Sequence, residues 1–202
     1  MPTPRSRRAS RTASSPATSG RLERRVSRDR SPDRRRNPPL DVSRGESTAR
    51  AHVDLELRWG DQDAYGHVNN VAYARYLEEA RVRVFFTGAA REQTGMEGYF
   101  RGDRPDGPKM LVASQQIEFL GVLEYTSHPI VVELWVGKLG GSSLELHYEV
   151  LDGSAADRRV VARAITTVVI VDGATMRPIR LSEDGRAAVE PWTDAPLQLR
   201  RG

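Results

Sequence analysis

From His52 to Trp59 the chain alternates. Val53, Leu55, Leu57 and Trp59 fall on one side, and His52, Asp54, Glu56 and Arg58 on the other. A period of two marks a half-buried strand with His52 towards solvent. The period changes at Asn70. From there to Phe86, Tyr73, Leu77, Ala80 and Val84 recur at three- and four-residue spacing, with Tyr76 in the same stripe and Arg75, Glu79 and Arg83 away from it. This predicts a long amphipathic helix. Glu79 and Arg83 are an i,i+4 pair on it, Glu78 and Arg81 an i,i+3 pair. Asn69 or Asn70 suits its N-cap, because an Asn side chain accepts from an orphan N–H of the first turn.

Residues 87–109, rich in Gly, Pro and Asp, read as a long connection that is either a lid or a loop without structure, with Tyr99-Phe100 its only aromatic pair. Four strands follow, at 110–120, 129–139, 143–150 and 160–171. The first is mixed in pattern. The second and third alternate, with Ile130, Val132, Leu134 and Val136, then Leu144, Leu146, Tyr148 and Val150, on the apolar side. The fourth, VVARAITTVVIV, is apolar on both faces apart from Arg163 and its threonines, as a central strand is. LGGSS and LDGSAAD supply turn chemistry between strands. One strand, one long helix and four more strands predict an α+β fold, an antiparallel sheet with the helix on one face. The other face or an edge of that sheet then needs a partner subunit.

Composition divides the chain. Residues 1–50 hold 14 Arg against 5 Asp and Glu with no aromatic residue, whereas the rest carries a net −5, so the overall +4 belongs to the tail. Such a segment cannot bury enough apolar surface to offset its ordering entropy, and 1–50 reads as disordered. A transit peptide, a polyanion-binding arm and a dispensable tail all remain compatible with it; no amphipathic helix and no stacking aromatics single out the first two. The folded domain is expected over 51–182, with 183–202 as a C-terminal extension. The 202 residues include no cysteine, which removes disulfides and thiolate chemistry and fits a reducing cytosol. No apolar run is long enough for a membrane-spanning helix.

Between strand and helix lies RWGDQDAYGHVNN, residues 58–70. A calcium loop is excluded, since Tyr65 stands where an Asp or Asn is needed and Ala72 where the final Glu belongs. Zinc is excluded because His67 has no second His or Cys at ligand spacing. No G-x-S-x-G elbow or phosphate loop is present. What survives is a carboxylate just upstream of a helix N-terminus, whose N–H groups and dipole can polarise a carbonyl oxygen. Asp, Gly and Asn before a helix are equally at home as turn and cap residues, so local chemistry leaves both readings open.

RWGDQDAYGHVNNVAYARYLEEAR (58–81) resembles the hotdog-fold acyl-CoA thioesterases of the 4-hydroxybenzoyl-CoA thioesterase type. The likeness continues through QIEFLGVLEY (116–125), the LGGSS turn and ARAITTVVIVDGATMRPI (162–179). It implies a hotdog fold, a five-stranded antiparallel sheet wrapped around one long helix, in a homodimer or homotetramer with active sites between paired subunits. It implies hydrolysis of an acyl-CoA with no cofactor and no metal, coenzyme A being part of the substrate. Asp63, the second aspartate of D-x-D, corresponds to the carboxylate that acts as nucleophile or general base. Backbone N–H groups at Asn70 and Val71 would hold the thioester oxygen. His67 resembles a histidine with a catalytic role in plant acyl-carrier thioesterases, and is here catalytic, positioning or structural. Tyr65, Gly66 and Val71 border the substrate, Glu118 is a second base candidate, and Ser142 and Ser143 lie where the family contacts coenzyme A. Asp61 is left with a structural role. The rival expectation is a non-catalytic hotdog dimer whose basic tail binds a polyanion. Nucleic acid is not the expected partner, and the expected location is the cytoplasm.

Overall fold

The computed structural model describes residues 49–90, 92–100, 107–153 and 158–200. The expected disordered tail, and the polyanion role attached to it, lie almost entirely outside them.

Five strands, β1 (Ala51–Leu55), β2 (Lys109–Phe119), β3 (Ile130–Leu139), β4 (Ser143–Asp152) and β5 (Arg159–Val171), form one antiparallel sheet in the order β1-β3-β4-β5-β2. Helix α1 (Asn70–Val82), continued by a π turn over Arg83–Thr87, lies on one face. Its stripe of Tyr73, Tyr76, Leu77, Ala80 and Val84 is buried with Val53, Val132, Leu134, Leu146, Tyr148, Val168 and Ile170 from the sheet. The 3.6-residue and two-residue periods thus meet in a single core, as their spacing requires.

Several expectations change. β1 ends at Leu55, where its pairing with Ile130 stops, and the chain then makes a 3-10 turn over Trp59–Asp61. Trp59 is therefore not a fourth inward strand residue: it is 75% exposed. The segment after α1 is not a bare loop. Helix α2 (Met96–Tyr99) buries Met96 and Phe100, and Phe100 meets Phe85 edge to face at 5.4 Å. Residues 91 and 101–106 of that connection lie outside the described part. Arg81 forms no described ion pair with Glu78; its Nη1 donates to the Tyr148 hydroxyl at 3.3 Å, whereas Arg83 and Glu79 pair at 2.8 Å.

The outer sheet face is buried over β3 and β4. The partner was expected on this face or on an edge, and there the face is covered by the segment read as an extension. Helix α3 (Glu183–Val189) and a 3-10 turn (Glu190–Trp192) lead the chain back across it. There Asp194 N–H donates to Val136 O (3.1 Å), Trp135 Nε1 to Ala195 O (3.0 Å) and Leu197 N–H to His147 Nδ1 (2.9 Å). Arg50 lies over the Trp135 ring at 3.9 Å and reaches Asp194, Glu133 and Glu149 at 2.7–3.1 Å. His52 is not a free solvent-side residue: its Nδ1 lies 2.8 Å from Glu92 and its Nε2 3.5 Å from Glu133.

Of the two edge strands, β1 and β2, β2 is the one that carries exposed apolar residues among the described residues. Leu111 and Val112 on it are exposed, and a bulge between Val112 and Ser114 shifts its register against β5. Among the described residues no helix is long and apolar enough to cross a membrane.

Candidate active site

After the turn at Trp59–Asp61 the chain makes a tight loop before α1. Gln62 bridges Val68, and Asp63 N–H donates to His67 O at 2.8 Å. Gly66 N–H returns to Asp63 O at 3.1 Å, with Gly66 at φ 78°, a left-handed conformation that a side chain would strain. The loop is backed by the segment after β2: Val68 N–H donates to Leu123 O at 2.8 Å, and His67 bridges Glu124.

The Asp63 carboxylate is half-buried and its two oxygens differ. Oδ1 accepts from Tyr65 N–H at 2.8 Å and His67 N–H at 3.1 Å. Nothing among the described residues donates to Oδ2. One oxygen is fixed by the backbone and the other is free to take a proton or to attack a carbonyl carbon. Asn69 caps α1, its Oδ1 accepting from Val71 N–H at 3.0 Å. This corrects the expected pair of oxyanion donors. Val71 N–H is already taken, while no described group accepts from Asn70 N–H. An available carboxylate oxygen and an available helix N-terminal N–H are thus separated by one short loop.

Tyr65 is 84% exposed on the outside of that loop, and the His67 ring makes no described hydrogen bond. Phe119, at the end of β2, packs edge to face on Tyr73 at 5.1 Å, and Tyr125 on Trp59 at 5.7 Å. Burial pushes the Tyr73 phenol up to about 12, so it stays neutral at working pH. Trp59, Tyr65, Val71, Phe119, Val122 and Tyr125 make an exposed apolar surround to the loop.

Two expected groups lie elsewhere. Glu118 pairs with Arg163 across β2 and β5 and lies 3.4 Å from Arg200, on the sheet face away from α1. The alternation that turns Phe119 towards Tyr73 turns its neighbour Glu118 away, so within one chain it does not join Asp63. Ser142 and Ser143 sit at the β3–β4 turn, where Ser142 O accepts from Ile170 N–H, whereas Leu120 and Gly121 bond Val161 O. Nine residues along β5 separate those points, about 30 Å. The serines and Asp63 are at opposite ends of one sheet.

Asp61, expected to be structural, is built into the base of the loop. It is 5% exposed, and its Oδ2 accepts from the Tyr76 hydroxyl at 2.7 Å and Arg58 N–H at 3.2 Å. Tyr76 belongs to the helix stripe, and nothing in that pattern says that its hydroxyl reaches back to the loop. A cleft of ≈ 120 Å³ lies between α1 and β2, lined in part by Arg81, Val82, Phe86, Met110 and Val112. Among the described residues no three His, Asp or Glu side chains gather as a metal site.

Residues 57–191 match the family model of the thioesterase-like superfamily. The chain belongs to that superfamily. For this thioesterase-like protein, solved structures agree with the family. The PA2801 protein of Pseudomonas aeruginosa, a candidate thioesterase, is 32% identical over 69% of this chain and 97% of its own, with TM-score 0.54. A thioesterase of Thermus thermophilus, complexed with coenzyme A and Zn, is 24% identical over 76% of this chain and 100% of its own, with TM-score 0.54. The DHNA-CoA thioesterase of Staphylococcus aureus is 18% identical over 71% and 88%, with TM-score 0.52. The last two likenesses show the fold alone. The comparison with curated proteins gives no match. Superfamily membership supports hydrolysis of a thioester by this thioesterase-like protein.

Proposed function

We propose that the protein hydrolyses an acyl-CoA thioester to a free acid and coenzyme A, with Asp63 as the reacting carboxylate. The observation that carries this reading is the asymmetry of Asp63: Oδ1 is held by two backbone N–H groups and Oδ2 is free, one short loop upstream of the Asn70 N–H, which no described group occupies. Oδ2 takes a proton from water, the hydroxide adds to the thioester carbon, and the carbonyl oxygen is held by Asn70 N–H. The C–S bond then breaks, and the leaving thiolate takes the proton from Oδ2, which restores the carboxylate. Attack by Oδ2 itself, through an anhydride that water then opens, uses the same groups. The 4-hydroxybenzoyl-CoA thioesterase type remains the nearest description of this chemistry, with a hotdog fold and a cytoplasmic location.

The working unit is a homodimer, supported by the open β2 edge with its exposed Leu111 and Val112. Two β2 edges paired antiparallel about a two-fold axis set the Lys109 end of one beside the Phe119 end of the other. The serine turn of a second copy then approaches Asp63, which would let Ser142 and Ser143 contact coenzyme A despite their distance within one chain. The acyl chain follows the groove between α1 and β2 towards the cleft at Val82, Phe86 and Met110.

Turnover of a panel of acyl-CoA thioesters by wild type and Asp63→Ala tests the reading. We expect at least one substrate to be hydrolysed and Asp63→Ala to lower kcat by about 10²–10⁴-fold. Equal turnover by the two proteins, or none by wild type, sinks it.

A further inference from the structure

We infer that Asp61 and Tyr76 are positioning residues for the chemistry at Asp63. The inference rests on the reading of Asp63 given above and concerns what holds that group in place. Asp61 connects three parts of the chain that must keep register for the site to exist. Its carboxylate accepts Arg58 N–H (3.2 Å) at the loop's entry, its carbonyl accepts Asn69 N–H (2.8 Å) at the loop's exit, and its Oδ2 takes the Tyr76 hydroxyl (2.7 Å) from the buried face of α1. The loop carrying Asp63 is therefore closed at its base onto the second turn of the helix.

The clamp bears on both reacting groups. Asn69, whose N–H it holds, is the cap that occupies Val71 N–H and leaves Asn70 N–H available. Asp63 is two residues away along the same strand of the loop. A hydroxyl donating to a carboxylate makes a short, directional bond, stronger than a neutral one. Burying that carboxylate costs desolvation that an apolar contact would not, but an apolar contact would fix no N–H direction. Arg75, 3.9 Å from Asp61 and 62% exposed, adds little in solvent. Loss of the clamp shifts the carboxylate against the N–H by a fraction of an ångström to an ångström, an error that lowers the rate of the chemical step far more than it weakens binding.

The test measures kcat, KM and thermal midpoint for wild type, Tyr76→Phe, Asp61→Ala, Asp61→Asn and Asp63→Ala on the best acyl-CoA of the panel. Tyr76→Phe and Asp61→Ala are expected to lose about 10–100-fold in kcat with KM within about threefold. Asp61→Asn keeps an acceptor for both donors and is expected to stay within about fivefold of wild type. Should Asp61→Ala fail to fold, Tyr76→Phe decides alone. Wild-type kcat in folded Tyr76→Phe, a defect confined to KM, or no rescue by asparagine overturns the inference. Activity lost in Asp63→Ala but intact in Tyr76→Phe sinks the clamp and spares the site; activity intact in Asp63→Ala sinks the reading on which both depend.

Discussion

The two faces of the sheet bury comparable side chains by opposite means. The inner face packs Val132, Leu134, Leu146, Tyr148 and Ile170 under one amphipathic helix, and its contacts are almost wholly apolar. The outer face buries Trp135 beside Arg50, Glu149 and His147, under a segment of irregular chain. The inner face tolerates its neighbours because apolar contact is non-directional. The outer face depends on each charge keeping its partner, because an orphaned buried charge is expensive.

The sharpest way to break the contrast is to remove the hub. Arg50→Met keeps volume over Trp135 but takes away the cation that Asp194, Glu133 and Glu149 share, leaving Glu149 to Arg163 and Glu133 to His52. A loss of about 3–5 kcal/mol is expected, similar to the ~2–5 kcal/mol for Leu134→Ala on the inner face. Urea unfolding of both variants compares them; a loss below about 0.5 kcal/mol for Arg50→Met would make the outer layer mere surface.

A smaller effect is expected at Gly137. A Cβ there would run into the His147 imidazole, which is 1% exposed and cannot swing away. Gly137→Ala should cost about 1–3 kcal/mol, whereas Gly98→Ala, with open space around it, should be neutral or slightly stabilising. Thermal midpoints of the two variants separate a packed outer layer from a loose one.

The smallest effect is a matter of pH, and the two outer-face histidines carry it with opposite sign. The His52 imidazole is raised above its usual range by its hydrogen bond to Glu133, against the opposing effect of burial, with Glu92 adding to the rise. Its contribution to stability is complete below about 6.5, the unfolded value, and is lost as pH rises through the higher folded value. Burial lowers His147, with Glu145 opposing. Its contribution is complete above about 6.5 and is lost as pH falls from there through the lower folded value. Urea midpoints from pH 5 to 8 should flatten on the alkaline side in His52→Gln and on the acid side in His147→Gln. The same slope change in both would refute the assignment.

How much of this was legible in the sequence follows from the same contrast. The inner core is written as period two in β3 and β4 and as a helical stripe in α1. The outer layer is not, because the chain over residues 193–200 has no period and reads as a tail. β2 read as mixed because its bulge after Val112 moves the alternation by one, so Met110 and Val112 share a face with Gln115 and Ile117. The proposal for Asp63 and Asn70 comes from resemblance, since local composition alone fits a turn and cap equally well. The clamp of Asp61 on Tyr76 spans fifteen residues between a loop and a helix, and no short-range pattern encodes a contact of that kind.

Arg50 and Asp194 stand 144 residues apart in the chain and 2.7 Å apart in space. During synthesis the β3–β4 hairpin, α1 and β5 are all made before Asp194 exists, although Leu181 and Val189 complete the inner core only shortly before it. Most of the inner core can therefore assemble first, while Trp135 and its charged neighbours wait, uncovered, for residues 193–197. That interval is when a nascent chain of this protein is most open to the wrong partner, since long-range closure is the slow step of folding. Chaperone dependence in vivo should accordingly follow the outer face of the sheet more than the helix that fills the inner one.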